Sequence, residues 1–315
     1  MNRILLTGAS GFIGRVIYAQ LIQRGFIVRP VYRTAAQAAG IEAALVVSDL
    51  NADTDWSFGL RGVNVVIHAA ARTHIMQDEV ADLLTEYRRV NVDGTLALAR
   101  HAAASGVRRF VFISSIKVNG ERTVLGRPFH PSDAAAPDDP YGASKLEAEQ
   151  GLMKLAGDTG LEVVIIRPPL VYGPGVRGNF GSLIKLMDKG LPLPFGAVRN
   201  KRSLVGVDNL VDLIIRCINH PAARNQIFLA GDGVDLSTTE LLRELAEAIG
   251  CPSRLIPVPA ALLGLGAMFL GKRAVAQRLL DSLQVDISKT RELLDWQPPI
   301  SVKEGFRRCV RDSSA

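Results

Sequence analysis

Cysteine is scarce. Cys217, Cys251 and Cys309 are the only three in 315 residues, and they lie far apart. No metal or thiol-redox spacing can be built from them, so they read as reduced, mostly buried thiols of a cytoplasmic protein. Histidine is equally thin: His68, His74, His101, His130 and His220 have no ligand partners at a useful spacing, and no metal site is expected. His68 reads as a residue packed in a sheet. The chain carries a net charge of +6, yet no run of lysine and arginine exceeds two. Scattered positive charge favours anionic small molecules and argues against nucleic acid. The start, MNRILLTG, runs straight into a glycine loop and lacks the apolar region of a signal peptide. Long apolar runs are also missing, with one near-exception. LIPVPAALLGLGAMFLG (255–271) is uncharged for seventeen residues, short of the roughly 20 that a membrane span needs. It reads as a buried helix of a second subdomain, with a membrane-surface helix as the alternative.

What is present is alternation. RILLT (3–7), FIVRPVY (26–32), AALVVSD (43–49), VNVVIHA (63–69), RFVFISS (109–115) and LEVVIIR (161–167) are short runs rich in Val and Ile. Such runs suit strands of a parallel sheet covered on both faces. Between them lie helical patterns such as GTLALARHAAASG (94–106), closed by a glycine. The expected class is α/β: a Rossmann-type doubly wound parallel sheet with a smaller, mostly helical C-terminal substrate domain.

The first strand ends in TGASGFIG (7–14). Gly8 permits a tight turn, Gly11 lets backbone approach a pyrophosphate, and Gly14 allows a helix to pack closely on the strand. With Ser10, Phe12 and Ile13 they place a helix N-terminus toward phosphates. The acid that grips an adenosine ribose is due near residue 32. The chain reads Tyr32, Arg33, Thr34 instead. Arginine pairs with a 2′-phosphate that an acid would repel, so NADP(H) is favoured over NAD(H). Asp49 and Leu50, closing the third strand, are candidates for the adenine.

In DPYGASKLEAEQGLMKLA (139–156) Tyr141 and Lys145 stand four apart, on one helical face. A nearby ammonium lowers a phenol's pKa from about 10 toward neutrality and makes it a usable acid or base. Alone, such a pair is more often a surface feature. The context is what separates this one from that.

With TGASGFIG, Asp49, HAAA (68–71), NVDGT (91–95), FISS (112–115), YGASK, RPPLVYGPG (167–175) and RSLVGVDNLVD (202–212) in this order, the chain resembles the extended, nucleotide-sugar-modifying branch of the short-chain dehydrogenase/reductase superfamily. The resemblance spans nearly the whole chain. It implies that Ser115 hydrogen-bonds the reacting oxygen, that Tyr141 is proton donor or acceptor, and that Lys145 tunes it. It places Ala69, Ala70, Ala71, Asn91, Ser114, Pro168 and Val171 against the cofactor. A homodimer is the family expectation.

From about residue 172 the alternation breaks down. The expected division is 1–171 with 206–231 as the nucleotide domain, and 172–205 with 232–315 as the substrate domain. The resemblance makes Arg202, in KRSLVGVD, the first candidate for a diphosphate contact, where an arginine fork suits phosphate oxygens. Arg72, Lys117, Asn119, Arg177, Asn179 and Arg278 are further substrate-side candidates, as is Ser115. Two departures stand out: Leu170 replaces an asparagine usual in epimerases and dehydratases, and VNG (118–120) replaces VYG. Together with Arg33, Leu170 favours an NADPH-dependent reductase of the C4 ketone of a UDP-linked 4-keto-6-deoxy (2-acetamido) sugar, of the kind used in O-antigen synthesis. The alternatives are a UDP-hexose 4-epimerase with tightly bound NAD and a non-catalytic NAD(P)-sensing regulator.

Overall fold

A computed structural model describes residues 2–73, 82–176, 178–269, 271 and 273–311. The strands are β1 (Arg3–Thr7), β2 (Ile27–Tyr32), β3 (Leu45–Val46), β4 (Val65–His68), β5 (Arg109–Ile113), β6 (Glu162–Arg167), β7 (Leu170–Tyr172), β8 (Arg202–Gly206), β9 (Gln226–Leu229) and β10 (Asp235–Leu236). Seven form one sheet in the order β3-β2-β1-β4-β5-β6-β9, and all its pairs are parallel. The apolar runs therefore line two covered faces. One face carries Ile4, Leu6, Val65, Ile67 and Val111 beneath helices Phe12–Gln23 and Val207–Asn219. The other carries Leu5, Val66, Phe110 and Phe112 beneath helices Thr95–Ala104 and Pro140–Thr159. This is the expected Rossmann-like α/β architecture.

Chain order reverses across β1 and β4, so the crevice at the switch point opens above the ends of these two strands. A smaller sheet, β10-β8-β7, follows, with β7 and β8 parallel and β8 and β10 antiparallel. Helices from the C-terminal third pack on it, and Tyr172, Phe180 and Phe306 form the aromatic centre of that core.

Two expectations need correction. The run 43–49 yields only a two-residue strand, because Ala43 adopts a positive φ of 58° in a turn before it and the chain bends at Ser48 after it. The apolar run 255–271 is not buried. Its helix, Ala260–Phe269, contains no buried residue. It starts after Pro257 and Pro259, lies on the outside and contacts mainly helix Arg273–Leu280. Among the described residues no helix is long and apolar enough to cross a membrane.

Candidate active site

The glycine loop is closed by sterics. Gly8 has φ +73°, and a Cβ there would stand 2.7 Å from the Ala70 nitrogen. A Cβ on Gly14 would stand 2.0 Å from the Gly8 oxygen. Gly11 starts helix Phe12–Gln23 without a side-chain cap. The N–H groups of the first turn, at Phe12, Ile13 and Gly14, are thus left to solvent or an anion. Ser10 and Gly11 are exposed beside them, and Ala69, Ala70 and Ala71 form the opposite wall, half-buried. Backbone donors in a cradle that any Cβ would fill fit a dinucleotide pyrophosphate.

Beneath this wall His68 is fully buried between two hydroxyls. Its Nδ1 lies 2.7 Å from Thr7 Oγ1 and its Nε2 2.9 Å from Thr95 Oγ1. Burial holds its pKa down to about 3, so it is neutral. Thr7 Oγ1 in turn accepts from the Ala70 N–H at 3.3 Å. Asn91 holds the next residue of the wall: its Oδ1 accepts from the Arg72 N–H at 2.8 Å, and its Nδ2 donates to the Arg72 carbonyl and to Ser144 Oγ, both at 3.1 Å. Asn91 thus ties the loop after β4 to the helix that carries Tyr141. The turn that bears it, Arg88–Gly94, is a π-helix, a form that recurs at functional sites.

Helix Pro140–Thr159 is well specified at both ends. Asp139 caps its first turn by accepting from the Gly142 N–H at 2.6 Å, Pro140 takes the first position, and Gly160 closes it in the left-handed region at φ 75°. Its first turn abuts the short turn Ile116–Val118 that follows β5, where a Cβ on Gly142 would lie 2.8 Å from the Lys117 carbonyl. Lys145 is buried and donates to the Ile113 carbonyl at 2.8 Å, with its Nζ 4.3 Å from the centroid of the Phe112 ring. Burial brings its pKa down to about 7. Tyr141 packs edge-on against Tyr87, ring centroids 5.9 Å apart, and its hydroxyl has no hydrogen-bond partner among the described residues. Burial, and secondarily the Asp139 carboxylate, push its pKa up. The expected depression is therefore absent in the ligand-free chain: desolvation dominates, and it weakens the lysine's own charge as well. Ser115 caps the short turn Ile116–Val118 by accepting from the Lys117 N–H at 3.3 Å, and is half-buried.

Ser114 and Asn119 belong to a different construction. Ser114 Oγ donates to Glu149 at 2.5 Å, Glu149 pairs with Arg167 at 2.5 Å, and Arg167 donates to Asn119 Oδ1 at 2.9 Å. All four side chains are buried. They brace β5, β6 and the Tyr141 helix from within, and their polar atoms are already engaged. Lys117 is held by Glu121 at 2.6 Å and Asp139 at 2.5 Å. Arg72 pairs with Glu86, which with Asp49 also holds Arg89. Asp49 is exposed, and Arg89 holds its carboxyl below the usual range. Leu50 lies against Gly94. Arg33 is exposed at the end of β2, and its guanidinium has no partner among the described residues.

Past β6, Pro168 is buried and its carbonyl accepts from the Ile116 N–H at 2.9 Å; Val171 is half-buried, and Leu170 is 43% exposed. Arg202 donates to the Asp281 carbonyl at 2.9 Å and makes no ion pair among the described residues. Its guanidinium is largely desolvated, which lowers its pKa, and its remaining donors suit an anionic group. Arg278 is exposed on helix Arg273–Leu280 and makes no ion pair among the described residues. Arg177 lies outside the described residues, and of Asn179 only the backbone, in helix Gly178–Asp188, is described. The sequence reasoning missed the bracing pair Glu149–Arg167 and the carboxylate of Asp139. Asp139 before Pro140 was readable as a helix cap; the pair was not, since its partners come from different elements.

A dinucleotide cradle at the switch point, with a serine just past the neighbouring strand β5 and a tyrosine and a lysine on the helix packed beside it, defines a nucleotide-dependent enzyme of the α/β type. The chain belongs to the NAD dependent epimerase/dehydratase family, whose model matches residues 4–231. It is 51% identical over 310 residues to a UDP-glucose 4-epimerase of Vibrio cholerae, a match that covers 98% of this chain and 94% of that protein. Among solved structures, the UDP-glucose 4-epimerase of Thermotoga maritima with UDP-glucose superposes with a TM-score of 0.78 at 25% identity, covering 99% of this chain and 98% of that one. The UDP-glucuronic acid 4-epimerase of Bacillus cereus in complex with NAD has the same fold, with a TM-score of 0.76 at 22% identity, over 99% and 98% of the two chains.

Proposed function

We propose that the protein is a 4-epimerase of a UDP-hexose that retains NAD through its catalytic cycle. The observation that carries this reading is the 51% identity, along nearly the whole chain, to a UDP-glucose 4-epimerase. The cradle of Gly8, Gly11 and Gly14 holds the pyrophosphate, and Arg202 takes the substrate diphosphate, in a substrate portion formed by residues 172–205 and 232–315. Bound NAD supplies the hydride acceptor and, through its cationic ring, a charge that favours phenolate. Tyr141 removes the proton of the C4 hydroxyl as hydride leaves C4, and returns it to the same oxygen once hydride has come back to the other face of the carbon. Ser115 hydrogen-bonds that oxygen, and Lys145 supports the phenolate from the next turn of the helix.

A second reading, the NADPH-dependent 4-reductase, is favoured by the unpartnered Arg33 and by Leu170 in place of an asparagine. The two differ in the fate of the cofactor. The epimerase should emerge from purification with NAD(H) that resists dialysis, and should interconvert UDP-glucose and UDP-galactose with none added. Tyr141→Phe should lower turnover on the order of 10²- to 10⁴-fold while the bound cofactor content stays unchanged. An empty protein that binds NADPH far better than NADH, loses that preference in Arg33→Asp, and consumes NADPH with a UDP-4-keto-6-deoxy sugar would transfer the assignment to the reductase.

A further inference from the structure

Helix Ala260–Phe269 is apolar on the side it turns to solvent as well as on the side it turns to the protein. At 100° per residue, Ala260, Leu263, Gly264 and Ala267 share one side. This side faces the protein: a Cβ on Gly264 would lie 4.0 Å from Leu280 Cδ1. The opposite side carries Ala261, Leu262, Leu265, Gly266, Met268 and Phe269, all exposed and all apolar. Phe269 is 85% exposed, Leu262 58% and Met268 53%. Ile256 and Leu191 are exposed too; their chain segments run side by side, paired at Leu193 and Leu255.

Along the segment that carries this helix the charge has one sign. Between Glu247 and Asp281 the chain holds no acid and four basic residues, Arg254, Lys272, Arg273 and Arg278. Arg254, Arg273 and Arg278 are exposed. An apolar helical face edged by cations, on a segment too short to span, is the pattern of a helix that lies in a lipid headgroup layer.

We propose that this face docks on an anionic lipid surface, with Leu262, Leu265, Met268 and Phe269 entering the headgroup boundary and the basic residues meeting its phosphates. The surface adjoins the substrate side of the molecule. Helix Arg273–Leu280, against which the apolar helix packs, runs into Asp281, whose carbonyl accepts from Arg202 and, at 2.9 Å, from Asn200. Docking therefore presents the Arg202 side to the membrane. A second copy of this chain would cover the same apolar face but gains nothing from a rim of like charge.

Flotation of the full chain with vesicles tests this directly. Phosphatidylglycerol-containing vesicles should carry the protein up at low salt and release it as salt rises, and pure phosphatidylcholine should carry little. Phe269→Glu together with Leu265→Glu should cut the bound fraction about tenfold, and Arg273→Gln about fivefold. Turnover and the melting temperature should not change. Phe269→Glu alone alters a side chain already in solvent, so it serves if the double variant fails to fold. Wild type that floats with neither lipid, or floats regardless of Phe269→Glu, overturns the proposal. So does light scattering that shows a wild-type dimer split by Phe269→Glu with no vesicle binding, which would assign the face to a second copy.

Discussion

Lys145 is the most consequential single side chain. Its ammonium has left water for a carbonyl and an aromatic face, and its pKa sits at about 7, below the roughly 10.4 of an unfolded lysine. The folded chain therefore gives up this proton first. Between about pH 7 and 10 the unfolded chain binds more protons, so the group's contribution to stability rises with pH across that window and is flat below it. Comparison with Lys145→Met by urea unfolding should show the wild type gaining on the variant by up to about 1.4 kcal/mol per pH unit above pH 7. A constant gap from pH 6 to 9 would mean that Lys145 stays charged. At this scale the sequence supplied identities well. Ser115, Tyr141 and Lys145 were readable from motif spacing, but the sign of Tyr141's shift was not, because desolvation depends on what the fold stacks around the ring.

At the scale of elements, what decides the site is how four segments are braced. The Ser114–Glu149–Arg167–Asn119 network binds β5, the Tyr141 helix, β6 and the turn at Asn119 into one block. Removing one member of a buried ion pair leaves the other charge desolvated, at a cost of about 3–5 kcal/mol. Arg167→Met should lower the unfolding free energy by that amount, whereas Arg167→Met with Glu149→Met should recover most of it. Equal losses in both variants would refute a buried charge pair. The glycine turn and most strands of the large sheet were legible from local pattern, and the caps at Asp139 and Gly160 depend on neighbours within one turn. The network was not: Ser114 and Asn119 read as ligand contacts from their places beside motifs, and only the packing of distant segments shows their atoms already spent. The helix at 260–269 misled for a related reason. Composition gives a preference for burial but not the partner that would provide it.

For the whole molecule, the two sheets meet at Asp232. Its carboxylate accepts from the Gly206 N–H, from Asn209 Nδ2 at 2.7 Å and from the Tyr172 hydroxyl at 2.6 Å. It lies three residues past the end of β9, while its partners sit on β7, β8 and the helix that returns to the large sheet. Burial raises its pKa, and the three donors oppose that. Asp232→Ala strands these donors and should cost about 2–4 kcal/mol, read as a single lowered transition for both halves in calorimetry. Two separate transitions would show that the halves are held together elsewhere.

The route of the chain through the two sheets also governs how it can fold. β6 ends at Arg167, but its neighbour β9 begins at Gln226, after the chain has built β7 and β8. The core under β1 is completed later still, by Leu294 and Trp296 from the C-terminal segment, with the Trp296 indole N–H on Asp212 at 3.0 Å. A chain emerging from a ribosome can thus assemble the nucleotide cradle long before the sheet beneath it is closed. Until Leu294 and Trp296 are free to dock, one face of that sheet stays open to aggregation, and cofactor bound early would act as a scaffold that holds the unfinished half in register.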